Sequence, residues 1–270
     1  MTRCALSTAV AALLLLVACS SDDDATPGTD ARAGDSAAAD GAVVDTSSGN
    51  DASTDIGSGS DASVTLVTIS GVVREVGGDG DAPVSGATIT LRDSSPLVQT
   101  TTAGDGSFSL QVPANQVLMV EVAKTDLLSS IITFRAPSGG VSEVELGLLL
   151  PAAADGVVQA LSLPARDTGK GIVIVNFELD DRGGVPAGGE KAVISAGNAG
   201  SFVFDDNDDP VLGDTLLAGG GDVAVYFNVA VGTTTVTISG SGCSADLPAS
   251  TTYPVEANKV SWILAHCGPL

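Results

Sequence analysis

Aromatic side chains make up only 3% of the 270 residues, and basic ones are scarce: 11 Lys+Arg stand against 33 Asp+Glu, for a net charge of −22. A surface this acidic repels nucleic acid, which needs a basic face. So few aromatics are poor material for base-stacking platforms or aromatic-lined pockets. One histidine and four cysteines leave little for metal or acid–base chemistry. No apolar run is long enough to cross a bilayer as a helix. What is abundant is glycine, at 33 residues, and a hydrophobic content of 44% that is mostly Ala and Val. The length suits one or two domains.

Residues 1–18 read MTRCALSTAVAALLLLVA, with Arg3 the only charge and an apolar run from Ala5 to Ala18. The short apolar stretch, basic flank and small final residue fit an export signal. The segment ends Leu16-Val17-Ala18-Cys19, which resembles the lipobox of bacterial lipoproteins. That resemblance implies cleavage before Cys19 and acylation of its thiol and of the new N-terminus. Two or three acyl chains make a stable membrane anchor, because each buried CH2 contributes about 0.8 kcal/mol. The bland alternative is an ordinary secretory signal that happens to contain a cysteine. Ser20 and Ser21 follow, and the Asp run begins only at Asp22. In enterobacterial lipoproteins an Asp directly after the cysteine retains the protein in the inner membrane, so the resemblance favours the outer membrane.

Residues 20–63 carry ten Asp against one Arg, a charge of −9, and no aromatic residue. Such a segment buries too little apolar surface to offset its chain entropy and reads as a disordered tether. Asp30, Asp35, Asp40 and Asp45 recur every five residues. Five is neither a helical nor a strand period, so the repeat is one of composition. A flexible coil of this length spans roughly 35 Å, and like charges extend it. Cation binding by the Asp series is the functional alternative. Scattered carboxylates without a fixed turn make poor calcium cages.

From Thr65 the pattern becomes alternation. Val67, Ile69 and Val73 share a face. Ala87, Ile89 and Leu91 do the same, as do Phe108, Leu110 and Val112, then Leu118, Val120 and Val122, then Val144 and Leu146. Period two with β-branched residues predicts half-buried strands. Turn signals separate them at Gly77 to Asp81, at Asp105-Gly106, which reads as a hairpin, and at Pro137 to Gly140. Short strands with a turn about every ten residues suggest a sandwich. The order Ile69-Ser70-Gly71-Val72-Val73, then Pro83-Val84-Ser85-Gly86-Ala87-Thr88-Ile89-Thr90-Leu91, then Thr101-Thr102-Ala103-Gly104-Asp105-Gly106-Ser107-Phe108 resembles the carboxypeptidase regulatory-like domain. That family is a prealbumin-like, seven-strand β-sandwich, and the likeness covers residues 65–150. Ala103 departs from it, standing where an acidic residue is common. The family is mainly an accessory module without a conserved catalytic set, so the resemblance implies no enzymatic activity.

Residues 151–170 read as a connector, with one possible strand over Val157 to Leu163. Beyond it Val173, Val175, Phe177 and Leu179 alternate, Phe202 and Phe204 follow Gly200, and Val223, Val225, Phe227, Val229 and Val231 predict one face of a strand. Gly221 to Thr237 resembles the late hairpin of the same superfamily, which makes residues 171–270 a divergent second copy. The expected fold class is therefore all-β: two consecutive prealbumin-like or Ig-like β-sandwiches after a signal peptide (1–18) and a disordered tether (19–64).

Cys4 leaves with the signal and Cys19 carries lipid, so Cys243 and Cys267 remain. Export places them in an oxidising compartment, where pairing is the default. Closing a loop of about 25 residues stabilises by roughly 3.5 kcal/mol in the chain-entropy account. The rival is two thiols binding metal with His266, a poor tetrahedral set because His266 and Cys267 are adjacent. Asp205, Asn207 and Asp209 give D-x-N-x-D, the opening of a calcium loop. Pro210 stands where glycine belongs and Leu216 where the bidentate Glu belongs, so a solvated acidic loop competes with a Ca2+ site. No other cofactor is indicated. Trp262, Tyr226 and Tyr253 form either a small sugar-binding face or, for Trp262, part of the core beside Val260 and Leu264. No carboxylate pair stands out for hydrolysis. The sequence thus points to a lipid-anchored cell-envelope protein displaying non-catalytic modules for a protein or surface partner. A carbohydrate-binding module and an envelope hydrolase are the alternatives.

Overall fold

The computed structural model describes residues 64–78, 82–179, 184–240, 242–248 and 250–268. The signal segment, Cys19 and the acidic tether lie outside the described residues. Those that are described belong to one compact unit. It is all-β except for one helix of ten residues.

The first half contains β1 (Leu66–Val76), β2 (Thr88–Leu91), β3 (Val98–Thr101), β4 (Ser107–Pro113), β5 (Val117–Ala123), β6 (Ser129–Arg135) and β7 (Val141–Leu149). β1 is central in a three-stranded sheet, antiparallel to β4 and parallel to β7. Strands β6, β5, β2 and β3 lie side by side in the second sheet. Ile69, Val73 and Leu148 from the first sheet share a core with Ile89, Val120 and Val122 from the second. All six side chains are essentially inaccessible, as period-two patterning requires when one face of each sheet is covered. The corner into β2 turns on a glycine. Gly86 takes φ 65°, a conformation costly for any residue with a Cβ. Thr102 locks it: its hydroxyl donates to the Val84 carbonyl at 2.6 Å and accepts from the Ala87 amide at 2.8 Å.

Asp105-Gly106 does not make a hairpin. Gly106 turns with φ 77°, but β3 belongs to the long sheet and β4 to the small one. The turn is an arch that carries the chain across the core and delivers Phe108 into it.

The segment expected as a connector strand is instead helix α1 (Pro151–Ala160), with Val157 on its last turns. Pro151 fits the first helical turn, where its missing N–H costs nothing, and Ala152 to Ala154 have the highest helix propensity. The apolar Val157–Val158 pair is ambiguous between strand and helix in so short a window.

The second half contains β8 (Gly171–Glu178), β9 (Lys191–Ile194), β10 (Gly200–Phe204), β11 (Pro210–Leu212), β12 (Val223–Val229), β13 (Gly232–Thr234), β14 (Val236–Ser239), β15 (Cys243–Ala245), β16 (Tyr253–Val255) and β17 (Lys259–Cys267). Its connectivity repeats that of the first half. β8 is flanked by antiparallel β12 and parallel β17, as β1 is by β4 and β7. β9 pairs antiparallel with β14, as β2 does with β5.

The halves share one sheet. β17 pairs in parallel with β6 from Lys259↔Ser129 to Trp262↔Ile132. The sheet order is therefore β11-β10-β12-β8-β17-β6-β5-β2-β3. Pairing two edges removes an exposed ladder from each. In the second half both faces of this sheet are covered. Ile172, Ile174, Phe202 and Trp262 join the core that includes Ala154 and Val158 of α1. Val173, Val175, Phe177 and Ile263 join a separate core with β9, β14 and β16. That accounts for the nearly continuous burial of β8 and β12.

One expected face is interrupted. Val223, Val225 and Phe227 point into the first core, but Val229 enters the second and Val231 is 55% exposed. The β12–β8 register shifts between Tyr226 and Val229, and Asn228 takes φ 50°. This is a bulge, and a one-residue slip sends later side chains to the opposite face. Asn228 is held there by the connector: its Oδ1 accepts from the Asp167 amide and its Nδ2 donates to the Ala165 carbonyl.

Candidate functional site

The acidic cluster lies in the turn between β10 and β11. The Asp205 amide donates to the Asp209 carbonyl, closing the turn at 3.0 Å, and Asp208 adopts φ 59°. The Asp205 carboxylate accepts from the amides of Asn207 at 2.8 Å and Asp209 at 3.0 Å. Asn207 donates through its side-chain amide to Asp206. Asp205 is thus engaged in shaping the turn, an Asx arrangement typical of tight loops, while Asp206, Asn207 and Asp209 are exposed. Among the described residues no three His, Cys, Asp or Glu side chains converge on a metal position.

Cys243 and Cys267 are disulfide-bonded and directly opposite each other in the β15–β17 ladder, with Cα atoms 4.0 Å apart. The bond holds the end of β17 to β15. His266 sits one place before it, in register with Ser244 on one side and Glu178 on the other.

The three aromatics that would build a sugar-binding face are inside. Trp262, Tyr226 and Tyr253 are 7%, 3% and 2% exposed. Tyr226 donates its hydroxyl to the Ala192 carbonyl, and burial together with Asp214 pushes its phenol well above the ordinary range. Burial, then Asp246, pushes Tyr253 to about 12. Trp262 donates its indole N–H to Ser130 Oγ at 3.1 Å, and Ser130 in turn donates to the Gly147 carbonyl. This relay links β17, β6 and β7.

Trp262 also lines a cavity of about 80 Å³ between α1 and the long sheet. Val76, Ala153, Val157, Phe202, Phe204 and Phe227 are among its walls, and no charged residue is. It arises because α1 presents alanines where larger side chains would fill the space. A lining of this kind supplies no acid, base or nucleophile.

One charged constellation among the described residues was missed by sequence reasoning. Arg92, Glu121, Glu256 and Lys259 form a closed quartet across the seam between the halves. Lys259 Nζ lies 2.7 Å from both Glu121 Oε1 and Glu256 Oε2. Arg92 approaches Glu256 at 2.6 Å and Glu121 at 3.8 Å. For Glu256 burial favours the neutral acid, but hydrogen bonds from Lys259 and Arg92 and their charges outweigh it and hold the carboxyl below 4.5. For Lys259 burial again opposes the charge, and Glu121 and Glu256 outweigh it to raise the ammonium above 10.5. Lys259 and Glu121 are 138 residues apart, so no local pattern announces the pair. On the other side, Arg166 of the connector bonds Asp155 of α1 at 2.9 Å and Asn258 before β17 at 2.7 Å.

No protein-family model matches the chain, and no curated protein matches it. Solved structures give weak likenesses. The Bacillus anthracis TIE protein is 11% identical with a TM-score of 0.26, over 76% of this chain; the chain spans about a third (34%) of its length. Shaft pilin SpaA from Lactobacillus rhamnosus GG is 12% identical with a TM-score of 0.22, over 76% of this chain and 99% of that one. A mutant of the major pilin from Streptococcus pyogenes is 10% identical with a TM-score of 0.25, over 75% and 98%. Likenesses this weak carry no argument about what the chain binds or does. The chain itself forms an all-β, sandwich-like body with a disulfide at its last described strand.

Proposed function

We propose that this protein is a lipid-anchored component of the bacterial cell envelope, held through Cys19 and displaying paired, non-catalytic β-sandwich modules to a protein partner. The reading keeps the carboxypeptidase regulatory-like assignment for residues 65–150 and a divergent second copy after the connector. It rests on the signal and Leu16-to-Cys19 pattern, on the acidic spacer, and on a described cavity walled by apolar side chains. The observation that carries it is the seam: two sandwiches are joined edge to edge into one body by a hydrogen-bonded ladder and a charged quartet. Burial of Trp262, Tyr226 and Tyr253 removes the aromatic platform that a carbohydrate module needs. Edge strand β11, where Val211 and Leu212 are exposed, is available for strand addition by a partner.

Detergent partitioning of the full-length product from its native cells tests the anchor. The protein enters the detergent phase, Cys19→Ser moves it to the aqueous phase, and the mature N-terminal peptide carries acyl mass. Aqueous partitioning of the unaltered protein, with an unmodified N-terminal peptide, rejects the reading.

A further inference from the structure

Each half of the molecule begins and ends on neighbouring, parallel strands. The first half starts with β1 and finishes with β7, which pair in parallel over seven register positions from Ile69↔Val141 to Val76↔Leu149. The second starts with β8 and finishes with β17, which pair in parallel over seven positions from Val260↔Ile172 to His266↔Glu178. In a parallel pair, the N-terminal end of one strand and the C-terminal end of its neighbour lie at opposite ends of the ladder. Tension passed along the chain therefore enters each ladder at one end and leaves at the other. It slides the strands lengthwise, and all the evenly spaced, slanted bonds of the ladder resist together. An antiparallel first-and-last pair would put both pulling points at one end and open one bond at a time.

Three further features brace the same strands. β17 is also held by β6 over four register positions. Its C-terminal end is covalently tied to β15 through Cys243–Cys267, at the last residue of the strand. Its N-terminal end carries Lys259, bonded to both Glu121 and Glu256. The close approach of β1 to β7 is built for the ladder too: Gly71 passes so near the Val144 carbonyl that no Cβ fits between them. From this arrangement we propose that the protein is a tension-resistant element, able to stay folded while force is transmitted from its N-terminal attachment to whatever holds the region after β17. The proposal deepens the display reading, on which its biological purpose rests, but the ladder geometry stands without the lipid.

Single-molecule pulling on the full chain tests it without changing the fold. In one geometry handles sit at the two chain ends. In the other, the C-terminal handle is moved to Leu212, the exposed last residue of β11. β10 runs parallel to β8, because both are antiparallel to β12, and β11 runs back against β10. Leu212 therefore ends β11 on the side of the sheet where β8 begins, and this second pull peels the outermost strand from β10, loading its bonds singly. The expected result is a clearly higher first-rupture force for the end-to-end pull, since forced unfolding reads the barrier and not the equilibrium stability. Reduction of the disulfide should then lengthen the extended second half by roughly 80 Å, the span of the 24 residues it short-circuits. A first-rupture force equal to or below that of the Leu212 geometry overturns the proposal. So does an extension that reductant does not change, because β17 is then not the strand being drawn out. Neither outcome depends on acylation, so a failure of the anchor and a failure of the ladders are read separately.

Discussion

Asp222 sits in an environment that opposes its charge. It opens the turn into β12, where its carbonyl accepts from the Phe177 amide. Burial pushes its carboxyl from 3.8 up to about 7, against a smaller opposing contribution from its own backbone amide. The folded value lies above the unfolded one, so the native state holds the proton more tightly. Stability is full below pH 3.8, declines as pH climbs toward about 7, and stays at the lower level above it. Asp222→Asn removes the charge while keeping the shape. The variant should be the more stable protein at pH 8, by on the order of 2 kcal/mol, and should lose the decline between pH 4 and 7. Urea midpoints across that range check it; parallel pH profiles for the two proteins reject it. Nothing around Asp222 in the sequence distinguishes it from the other acids, because its burial is created only when β8 and β12 come together on folding. By contrast the inward positions of Ala87 and Phe108 were legible, since period-two alternation is a local signal.

Among the elements, β1 and its partners show how far strand patterning reaches. Val67, Ile69 and Val73 are buried as their spacing predicts. Spacing does not say that the neighbour at Gly71 is the β7 backbone, nor that the register slips between Ile69 and Gly71. A Cβ on Gly71 would lie 1.8 Å from the Val144 carbonyl oxygen. The obstacle is backbone, which has less room to yield than a side-chain tip. Gly71→Ala should therefore cost about 3 kcal/mol, the upper end for forced overpacking. A lower urea midpoint with an unchanged slope is the signature, and a change under about 0.5 kcal/mol would mean that β1 and β7 are less closely apposed. The same limit explains α1 and the Asn228 bulge. A short Ala- and Val-rich window fits helix or strand, and an alternating run such as Val223 to Val231 gives no sign of the residue at which its register slips.

At the scale of the molecule, the two sandwiches should unfold together. They share the β6–β17 ladder, the Trp262–Ser130–Gly147 relay and the Arg92–Glu121–Glu256–Lys259 quartet. Trp262 fluorescence and amide-exchange protection in β2 and β5 should report one coincident denaturant transition near neutral pH. Glu256 has a folded value below 4.5, so its contribution is whole above that pH and is lost as pH falls through the lower folded value. Lys259 has a folded value above 10.5, so its contribution is whole below that pH and is lost as pH rises through the folded value. Glu256→Gln should flatten the acid limb, with a modest loss of about 1 kcal/mol at pH 7 for a half-exposed group. Two separate transitions at neutral pH would show that the seam does not couple the halves.

Composition and local pattern determined that the chain is a β protein with an acidic N-terminal stretch and that its strands lie in two stretches, and they pointed to the Cys243–Cys267 pair that the structure shows. These follow from alternation, turn residues and cysteine arithmetic, each a short-range or counting property. Only the tertiary structure decided that β6 and β17 join the two stretches into one sheet, that both faces of β8 and β12 are covered, and that the aromatics lie inside. Edge pairing and burial depend on which surfaces meet across more than a hundred residues of chain, and period-two patterning carries no label for the partner strand.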